Sequence, residues 1–243
     1  MLVGGVALAL RVGGSRGRGA LGTAVLWATL GGRSLERAAL ALRAALDAGD
    51  LRRARALAPA LVGRDPSQLD AAELARAAVE SVAENTSDAV VAPLLWTAAL
   101  GPAGAAAYRA INTLDAMVGH RSERYLRFGW AAARLDDAAN WAPARATVLL
   151  VVALTPGRRR AAWRAAVRDG ARHPSPNAGR VEGAFAGALG VRLGGVNRYP
   201  HGTEARPTLG NGAPPRAQDI AHAVALSRRV ACAAAALSAL GAR

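Results

Sequence analysis

The sequence predicts an all-α protein, a polytopic or partly re-entrant helical integral membrane protein that forms a single domain. Hydrophobic residues make up 52% of the 243-residue chain and aromatic residues only 4%, so Ala, Leu and Val supply most of the apolar content. Ala and Leu favour helices, and few segments alternate with the two-residue period of a strand. A polar run from Glu80 to Arg145 adjoins segments apolar enough for a bilayer, where ionisable groups are costly and usually functional.

Five apolar stretches are candidates for entering or lying on the membrane. Residues 89–107 form the one stretch of nineteen uncharged residues that is long enough to span a bilayer alone. The other four, of ten to twelve residues each, are too short to do so: residues 1–10, 20–30, 146–156 and 230–241.

Residues 89–107 contain Pro93, Gly101, Pro102 and Gly104, which predict a kinked or broken helix. One straight crossing would place the polar motifs on either side of this segment about 30 Å apart. A single site requires them to meet, so we expect the segment to dip in and return, or to pack within the protein, with these four residues forming the turn. The alternative is one ordinary span, for which nineteen residues also suffice.

The net charge of +14 raises the alternative of a nucleic-acid-binding protein. All 31 basic residues are Arg, however, and they are dispersed over several loops without a known DNA- or RNA-binding signature. Arginines beside short apolar blocks fit the positive-inside pattern of membrane proteins better. Four histidines without close ligand spacing argue against a structural zinc site.

Residues 33–65 have the pattern of an amphipathic helical hairpin that is broken at Gly49, and a solvated hairpin without chemistry is the simpler interpretation. Asp70 then offers a helix N-cap, with Glu73 as its capping-box partner three residues later. From Asp70 we expect one helix to run through Glu80 and Glu84 toward Asp88.

Glu80, Glu84 and Asp88 are spaced i, i+4, i+8, which places three carboxylates along one stripe of this helix. Like charges at this spacing repel one another unless a cation, arginines or a substrate ammonium compensates them. Asn85, with Thr86 and Ser87, adds neutral oxygen atoms, and hard oxygen donors suit Mg²⁺. The stripe therefore predicts a magnesium or amine site, whereas a solvated acidic face is the alternative.

A second group of polar residues mixes amides, carboxylates and arginines in residues 112–137. Arginine presents a planar fork of donors that suits phosphate and carboxylate, so this group is a candidate anion site, and simple ion pairing is the alternative. Its candidate residues are Asn112, Asp115, Arg121, Arg124, Arg134, Asp136 and Asp137.

The third motif, HPSPNAG, opens at His173 within residues 168–195. Pro174 and Pro176 fix a non-helical segment that presents His173, Ser175 and Asn177 to one ligand. The Gly-rich run that follows lacks the P-loop pattern, so close helix packing explains its glycines better. Residues 197–216 have the composition of a polar, flexible loop, and a final membrane or packing helix follows.

Four strings, ESVAENTSD, NTLDAMVG, ERYLRFGWAAARLDD and HPSPNAG, occur in this order between residues 80 and 179. In these motifs, and over residues 32–195 generally, the chain resembles the CobD/CbiB family, the membrane-associated adenosylcobinamide-phosphate synthases of cobalamin biosynthesis. The resemblance implies ATP-dependent amide formation between adenosylcobyric acid and (R)-1-amino-2-propanol or its O-phosphate, with ATP and Mg²⁺ required.

On this interpretation, the catalytic candidates are Glu80, Glu84, Asp88, Asp115 and His173, of which the first three are also the magnesium candidates. The binding candidates are Asn85, Asn112, Arg121, Arg124, Arg134, Asp136, Asp137, Ser175 and Asn177. We expect a multi-pass protein of the cell membrane with its polar motifs facing the cytoplasm. Its partners would be the corrinoid, the aminoalcohol, lipid and other corrinoid-assembly enzymes, but not nucleic acid.

The chain departs from the family pattern in three places. Family members commonly begin with a further membrane segment that carries GDP and HPV motifs, and we expect a truncated chain or a lineage without it. Gly is usual where Ala89 stands, and an aromatic residue where Arg180 stands. The competing function is that of a small membrane transporter or a non-catalytic scaffold for corrinoid assembly, since broken apolar helices beside polar motifs suit transport too.

Overall fold

The computed structural model describes residues 15–63, 65–118, 129–199 and 202–241, and it is 81% helical. This confirms the all-α class. The predicted stretch at residues 1–10 and the candidates Arg121 and Arg124 lie outside the described residues.

Nine α-helices and one β-hairpin form the described part of the chain, and short π and 3₁₀ segments join several of them. The helices are α1 (Ser15–Thr29), α2 (Gly32–Asp47), α3 (Leu51–Leu57), α4 (Ala71–Thr86), α5 (Ala92–Val118), α6 (Gly129–Leu154), α7 (Arg159–Arg164), α8 (Ala178–Leu189) and α9 (Ala217–Gly241). The strands are β1 (Leu193–Tyr199) and β2 (Gly202–Leu209). The π segments are Ser87–Val91, between α4 and α5, and Ala165–Asp169, after α7.

The predicted helical hairpin and the helix start at Asp70 are both present. Gly49, with a φ of 70°, separates α2 from α3. The Asp70 carboxylate accepts the Glu73 N–H at 2.8 Å, and the Glu73 carboxylate accepts the Asp70 N–H at 2.9 Å, which completes the capping box. Local sequence therefore determines where α4 begins.

Helix α5 reverses its direction at Gly101. This residue has φ 71° and ψ −172°, a conformation that essentially only glycine adopts, and Pro102 follows as the first residue of the returning arm. A Cβ on Gly104 would lie 2.5 Å from the carbonyl oxygen of Trp96. In addition, Ala92 and Tyr108 pack in one apolar cluster. In a straight helix these two residues would be about 24 Å apart, so the chain folds back on itself.

Pro93 does not contribute to this turn, although the sequence analysis included it there. It lies at the start of α5, directly after the π segment Ser87–Val91. A proline cannot donate to the carbonyl four residues before it, which here belongs to Ala89. That carbonyl instead accepts the N–H of Gly31 at 3.1 Å. Pro93 therefore frees an acceptor that fixes the junction between α1 and α2.

Glycines allow α8 to pack closely against the helical segment around α7. A Cβ on Gly183 would lie 2.7 Å from the carbonyl oxygen of Ala165, and one on Gly187 would collide with the carbonyl of Ala161. Gly179, Gly183 and Gly187 are spaced four residues apart, so they share one face of the helix. The prediction of helix packing for the run Gly187, Gly190, Gly194 and Gly195 is thus confirmed for Gly187 only, because Gly190 ends α8 and the other two lie in β1.

The prediction of a flexible loop at residues 197–216 is wrong for its first half, which lies in an antiparallel β-hairpin. β1 pairs with β2 from Leu193, opposite Leu209, to Tyr199, opposite Gly202, with a bulge next to Leu193. Leu193 and Leu209 are fully buried and hold the base of the hairpin in the core. The two strands contain glycine, proline and charged residues, which are depleted in ordinary strands. The sequence therefore did not predict strands here.

Among the described residues, two helical stretches are long and apolar enough to cross a membrane: Ala71–Val118, which contains the reversal, and Ala217–Leu240. A third candidate joins Gly129–Leu154 to Pro156–Arg172 with a bend of 104°. The prediction of a polytopic or partly re-entrant helical membrane protein is thereby confirmed. The described core contains no long straight span at residues 89–107, because Gly101 interrupts it.

We expect both ends of the reversed segment to lie on the same side of the membrane. In a Cys232→Ala background, Ala72→Cys and Ala116→Cys place thiols at exposed positions before and after the reversal. A membrane-impermeant maleimide should label both from one face of oriented vesicles, because the chain returns to the side from which it entered. Leu100→Cys, beside the turn, serves as the control that should resist labelling. Labelling of the first two from opposite faces would exclude a re-entrant segment.

We also expect Gly183→Ala to destabilise the protein by about 1–3 kcal/mol, because the added methyl group overpacks the contact with Ala165. Thermal unfolding in detergent measures this change. The matched control is Gly63→Ala, since nothing lies within 4 Å of a Cβ at that position. An unchanged melting temperature for Gly183→Ala would show that the helices can separate without cost.

Candidate functional site

The reversal at Gly101 gathers four carboxylates from different parts of the chain. Glu84 on α4 and Asp88 on the π segment both lie within electrostatic range of Asp115 on α5 and Asp136 on α6. Glu84 is exposed, and the other three are half-buried. Two predicted motifs and part of a third therefore meet at one place, which we call the acidic cluster: Glu84, Asp88, Asp115 and Asp136.

Two arginines contribute positive charge to the acidic cluster. Arg109 on α5 interacts with Asp88, and Arg206 on β2 interacts with Glu84. Neither arginine was among the site residues predicted from the sequence. Arg109 precedes the NTLDAMVG motif by one turn, so its helical spacing was a usable signal. Arg206 lies in the presumed loop, and only the hairpin brings it to Glu84.

A chain of side-chain hydrogen bonds fixes the position of Asp136. Asn112 and Asn140 each donate an amide N–H to its carboxylate, at 3.3 and 3.0 Å. The buried Tyr108 hydroxyl donates to the Asn140 side-chain oxygen at 2.8 Å. The arm of α5 that follows Gly101 thus holds α6 through Asp136 and Asn140. Such a satisfied network makes the carboxylate a rigid part of the site.

Glu80 lies on the predicted stripe, but its carboxylate is engaged in holding the β-hairpin. It accepts the Gly194 N–H at 2.8 Å and pairs with Arg76 at 3.2 Å. Arg76 donates in turn to the carbonyls of Gly194 and Val196, at 2.7 and 3.0 Å. Both side chains are nearly buried, with 11–12% exposed. Glu80 therefore supports the hairpin that carries Arg206 to the acidic cluster.

The donor set fits a magnesium ion that is only partly ligated by protein. Within residues 15–63, 65–118, 129–199 and 202–241, no three His, Cys, Asp or Glu side chains are arranged to hold one metal. Mg²⁺ is usually bound by one or two carboxylates together with substrate phosphates and water, rather than by a protein cage. Glu84 and Asp88 could supply the carboxylates. Mg²⁺ binding at the acidic cluster stays a prediction, and it would need a bound phosphate to complete the coordination of the ion.

The HPSPNAG motif is docked onto α6 beside the acidic cluster. Asn177 donates to the carbonyl of Asp137 at 2.8 Å and accepts from Arg145 at 2.6 Å. The Ser175 hydroxyl oxygen accepts the N–H groups of Asn177 and Ala178, which begin α8. The polar side chains of the motif thus form hydrogen bonds that stabilise the loop and the start of α8. Asn177 also holds the loop next to Asp137.

His173 is buried, with its Nδ1 accepting the Ser175 N–H at 3.2 Å. Nδ1 also lies 3.4 Å from the Ser175 carbonyl oxygen, so the ring is held against the backbone of Ser175. A Cβ on Gly179 would collide with the His173 side chain, so the loop closes tightly over the ring. His173 accordingly lies inside the folded loop and shapes it.

The remaining predicted residues take peripheral positions. Arg134 is exposed and 4.0 Å from Asp137, which makes a weak surface ion pair. Asn85 directly follows Glu84, and its side-chain amide donates to the carbonyl of Ser81, one turn earlier on α4, at 3.0 Å. Arg145 stacks over the Trp141 ring at 4.6 Å and lies close enough to Arg180 for the two charges to repel. Arg145 was not among the predicted site residues. Its guanidinium nevertheless connects α6 to the HPSPNAG motif through Asn177.

These features define a class: helical membrane proteins in which a broken apolar helix brings separate polar motifs into one site. A model of the CobD/Cbib protein family matches residues 1–227, and the chain belongs to this family of cobalamin biosynthesis proteins. The resemblance found in the sequence is confirmed.

Individual relatives agree with the family match. The chain is 59% identical over 215 residues to the cobalamin biosynthesis protein CobD of Mycobacterium tuberculosis, covering 87% of this chain and 69% of the relative. It is 49% identical over 210 residues to the CobD protein of Rhodobacter capsulatus, covering 86% and 67%. For Chromobacterium violaceum CobD, the identity is 50% over 206 residues, covering 85% and 65%. No solved structure matches the chain.

We expect Arg76→Gln to destabilise the fold by about 3 kcal/mol, because it removes the guanidinium that pairs with the nearly buried Glu80 carboxylate and donates to the hairpin carbonyls. Chemical unfolding in detergent measures the loss, and limited proteolysis should show faster cleavage within the β-hairpin. The matched control is Arg43→Gln, which removes an exposed pair with Asp47 at the same i, i+4 spacing. That change should cost less than about 1 kcal/mol. Equal effects of the two substitutions would show that Arg76 does not anchor the hairpin.

Proposed function

We propose that this protein forms the amide bond between a propionate carboxylate of adenosylcobyric acid and the amine of (R)-1-amino-2-propanol or its O-phosphate, with ATP as the energy source. The observation that carries this proposal is the acidic cluster with its two arginines, in a chain of the CobD/CbiB family. Carboxylates attract an ammonium group, and arginines attract phosphates. Both substrates of such a ligation thus find complementary charge.

The reaction is written as two displacements. An oxygen of the substrate carboxylate attacks the γ-phosphorus of ATP, the bond to the bridging oxygen breaks, and ADP leaves. The amine nitrogen then attacks the acyl carbon, the bond from this carbon to the phosphate oxygen breaks, and phosphate leaves. Because the amine binds as an ammonium ion, one proton must leave before attack and a second after it.

Glu84 is the member of the acidic cluster best suited to receive a proton from the substrate amine, because its side chain is exposed. Asp88 and Asp115 would hold the ammonium group by charge. Asp136, fixed by Asn112 and Asn140, would set the position of that group relative to α6. His173 would act through the shape of the HPSPNAG loop, since its ring is buried there.

Arg109 and Arg206 would bind phosphate oxygens of ATP or of the activated acid. When bound, Mg²⁺ would neutralise phosphate charge, with Glu84 or Asp88 as its protein ligands. Arg206 reaches the acidic cluster only through the β-hairpin, so the Arg76–Glu80 anchor supports this role indirectly.

ATP is available in the cytoplasm, so the proposal places the acidic cluster on the cytoplasmic side of the cell membrane. The corrinoid and the aminoalcohol would enter from that side, and neighbouring corrinoid-assembly enzymes could deliver them. The short arms around Gly101 support a site at one membrane face, because Asp88 and Asp115 lie thirteen residues before and fourteen after it. Each arm is about 20 Å long, less than the hydrocarbon thickness of about 30 Å.

We expect Glu84→Gln to lower amide formation at least 100-fold, because the amide side chain can neither accept the proton nor bind the ammonium by charge. Protein reconstituted in vesicles, supplied with adenosylcobyric acid, ATP, Mg²⁺ and each amine in turn, provides the assay, with the corrinoid product detected by mass. Asp47→Asn, an exposed carboxylate change on α2, is the matched control and should retain full activity.

Normal turnover by Glu84→Gln would show that the Glu84 carboxylate takes no part in the reaction. A broken helix flanked by charges also occurs in transporters, so the same vesicles should be tested for corrinoid uptake. Uptake without a covalent product, by the unsubstituted protein, would replace the ligase proposal with transport.

A further inference from the structure

A second charged region lies at the end of α6, and the proposed ligation does not use it. The apolar run at residues 146–154 ends in Thr155, Pro156 and Gly157, which are followed by three consecutive arginines. At this point the chain bends by 104° into the helical segment Pro156–Arg172. An apolar helix that ends in arginines and then turns sharply is typical of the membrane–water boundary.

Four arginines line an open basin of about 600 Å³ at this bend, which we call the arginine basin. Its walls are formed by Pro156, Gly157, Arg158, Arg159, Arg160, Ala161 and Arg164. No Asp or Glu of the described ranges lies within ion-pair distance of these four arginines. Arg159 donates to the carbonyl of Ala153 and Arg164 to that of Arg160, both at 3.3 Å. Within the described residues, these four charges are therefore not neutralised by carboxylates, although the guanidinium of Arg158 packs against Gly190.

Exposed apolar side chains lie close to the arginine basin in sequence. Trp163 and Val167 lie on the segment after the bend, with 47% and 42% of their surface exposed, and Leu149 on α6 is 58% exposed. A cationic basin beside an exposed tryptophan matches the layering of a bilayer, where phosphate groups lie next to the acyl chains.

We propose that the arginine basin binds the phosphate headgroup of an anionic phospholipid, with the acyl chains lying against Leu149 and Trp163. Four closely spaced positive charges attract an anion, and the exposed apolar side chains nearby in sequence favour one that carries hydrocarbon. A lipid held here would fix the 104° bend relative to the bilayer. Since the bent segment packs through Gly183 and Gly187 onto α8, the lipid would also steady the helix that begins at HPSPNAG.

Native mass spectrometry of the purified protein tests this proposal. The protein, in a neutral detergent, is titrated with phosphatidylglycerol and, separately, with phosphatidylcholine of the same chains. One arginine near an anionic surface contributes roughly fivefold to affinity. The unsubstituted protein should retain phosphatidylglycerol at least tenfold better, and the combined variant R158Q/R159Q/R160Q/R164Q should lose this preference.

The matched control is R33Q/R37Q/R52Q/R53Q, which removes four exposed arginines of α2 and α3 and gives the same net charge. It should retain the preference. If the basin variant fails to fold, as judged by circular dichroism, R159Q/R160Q replaces it and should lower the preference severalfold. Equal retention by the unsubstituted protein and the basin variants would overturn the proposal. Displacement of the lipid by millimolar ATP or inorganic phosphate would do so too, because the basin would then be a site for soluble anions.

Discussion

The reversal of α5 at Gly101 is the constraint on which the rest of the structure depends. A glycine conformation closed to other residues, followed by a proline that can begin a new helix, turns an apolar segment back on itself. The arms on either side are nearly equal in length, so Asp88 and Asp115 return to the same level. If the helix continued straight, they would be about 40 Å apart, and the acidic cluster would not exist.

Gathering four carboxylates beside apolar helices is unfavourable unless the surroundings compensate for it. Here Arg109 and Arg206 supply charge, and the Tyr108–Asn140–Asp136 hydrogen bonds supply fixed donors. The four carboxylates outnumber the two arginines, so the acidic cluster can attract a cationic group. The two arginines can in turn attract an anionic group. An amine and a phosphate are the two groups that an ATP-dependent amide synthesis must bring together, which is why this arrangement suits that chemistry.

Much of the remaining structure supports the acidic cluster from outside. The Ala89 carbonyl, freed by Pro93, holds the α1–α2 junction, and the Arg76–Glu80 pair holds the base of the β-hairpin. Asp169 adds a second anchor for the hairpin, because it accepts the N–H of Gly210 at 3.1 Å. Asn177 joins HPSPNAG to α6. The functional side chains therefore form two groups. One group faces the acidic cluster, and the other holds in place the helices and the hairpin that carry the cluster.

The sequence by itself determined the helical class, the capping box at Asp70 and the break at residues 101–104. Each of these depends on near neighbours in the chain, whose backbone preferences act locally. Only the tertiary structure decided that Glu80 turns to the hairpin while Glu84 and Asp88 face the acidic cluster, since helical spacing places all three on one stripe. It also decided that residues 193–209 pair as strands and bring Arg206 to Glu84. Glu80 contacts Gly194 and Arg206 interacts with Glu84 across more than 100 residues of sequence, and no local pattern encodes either contact.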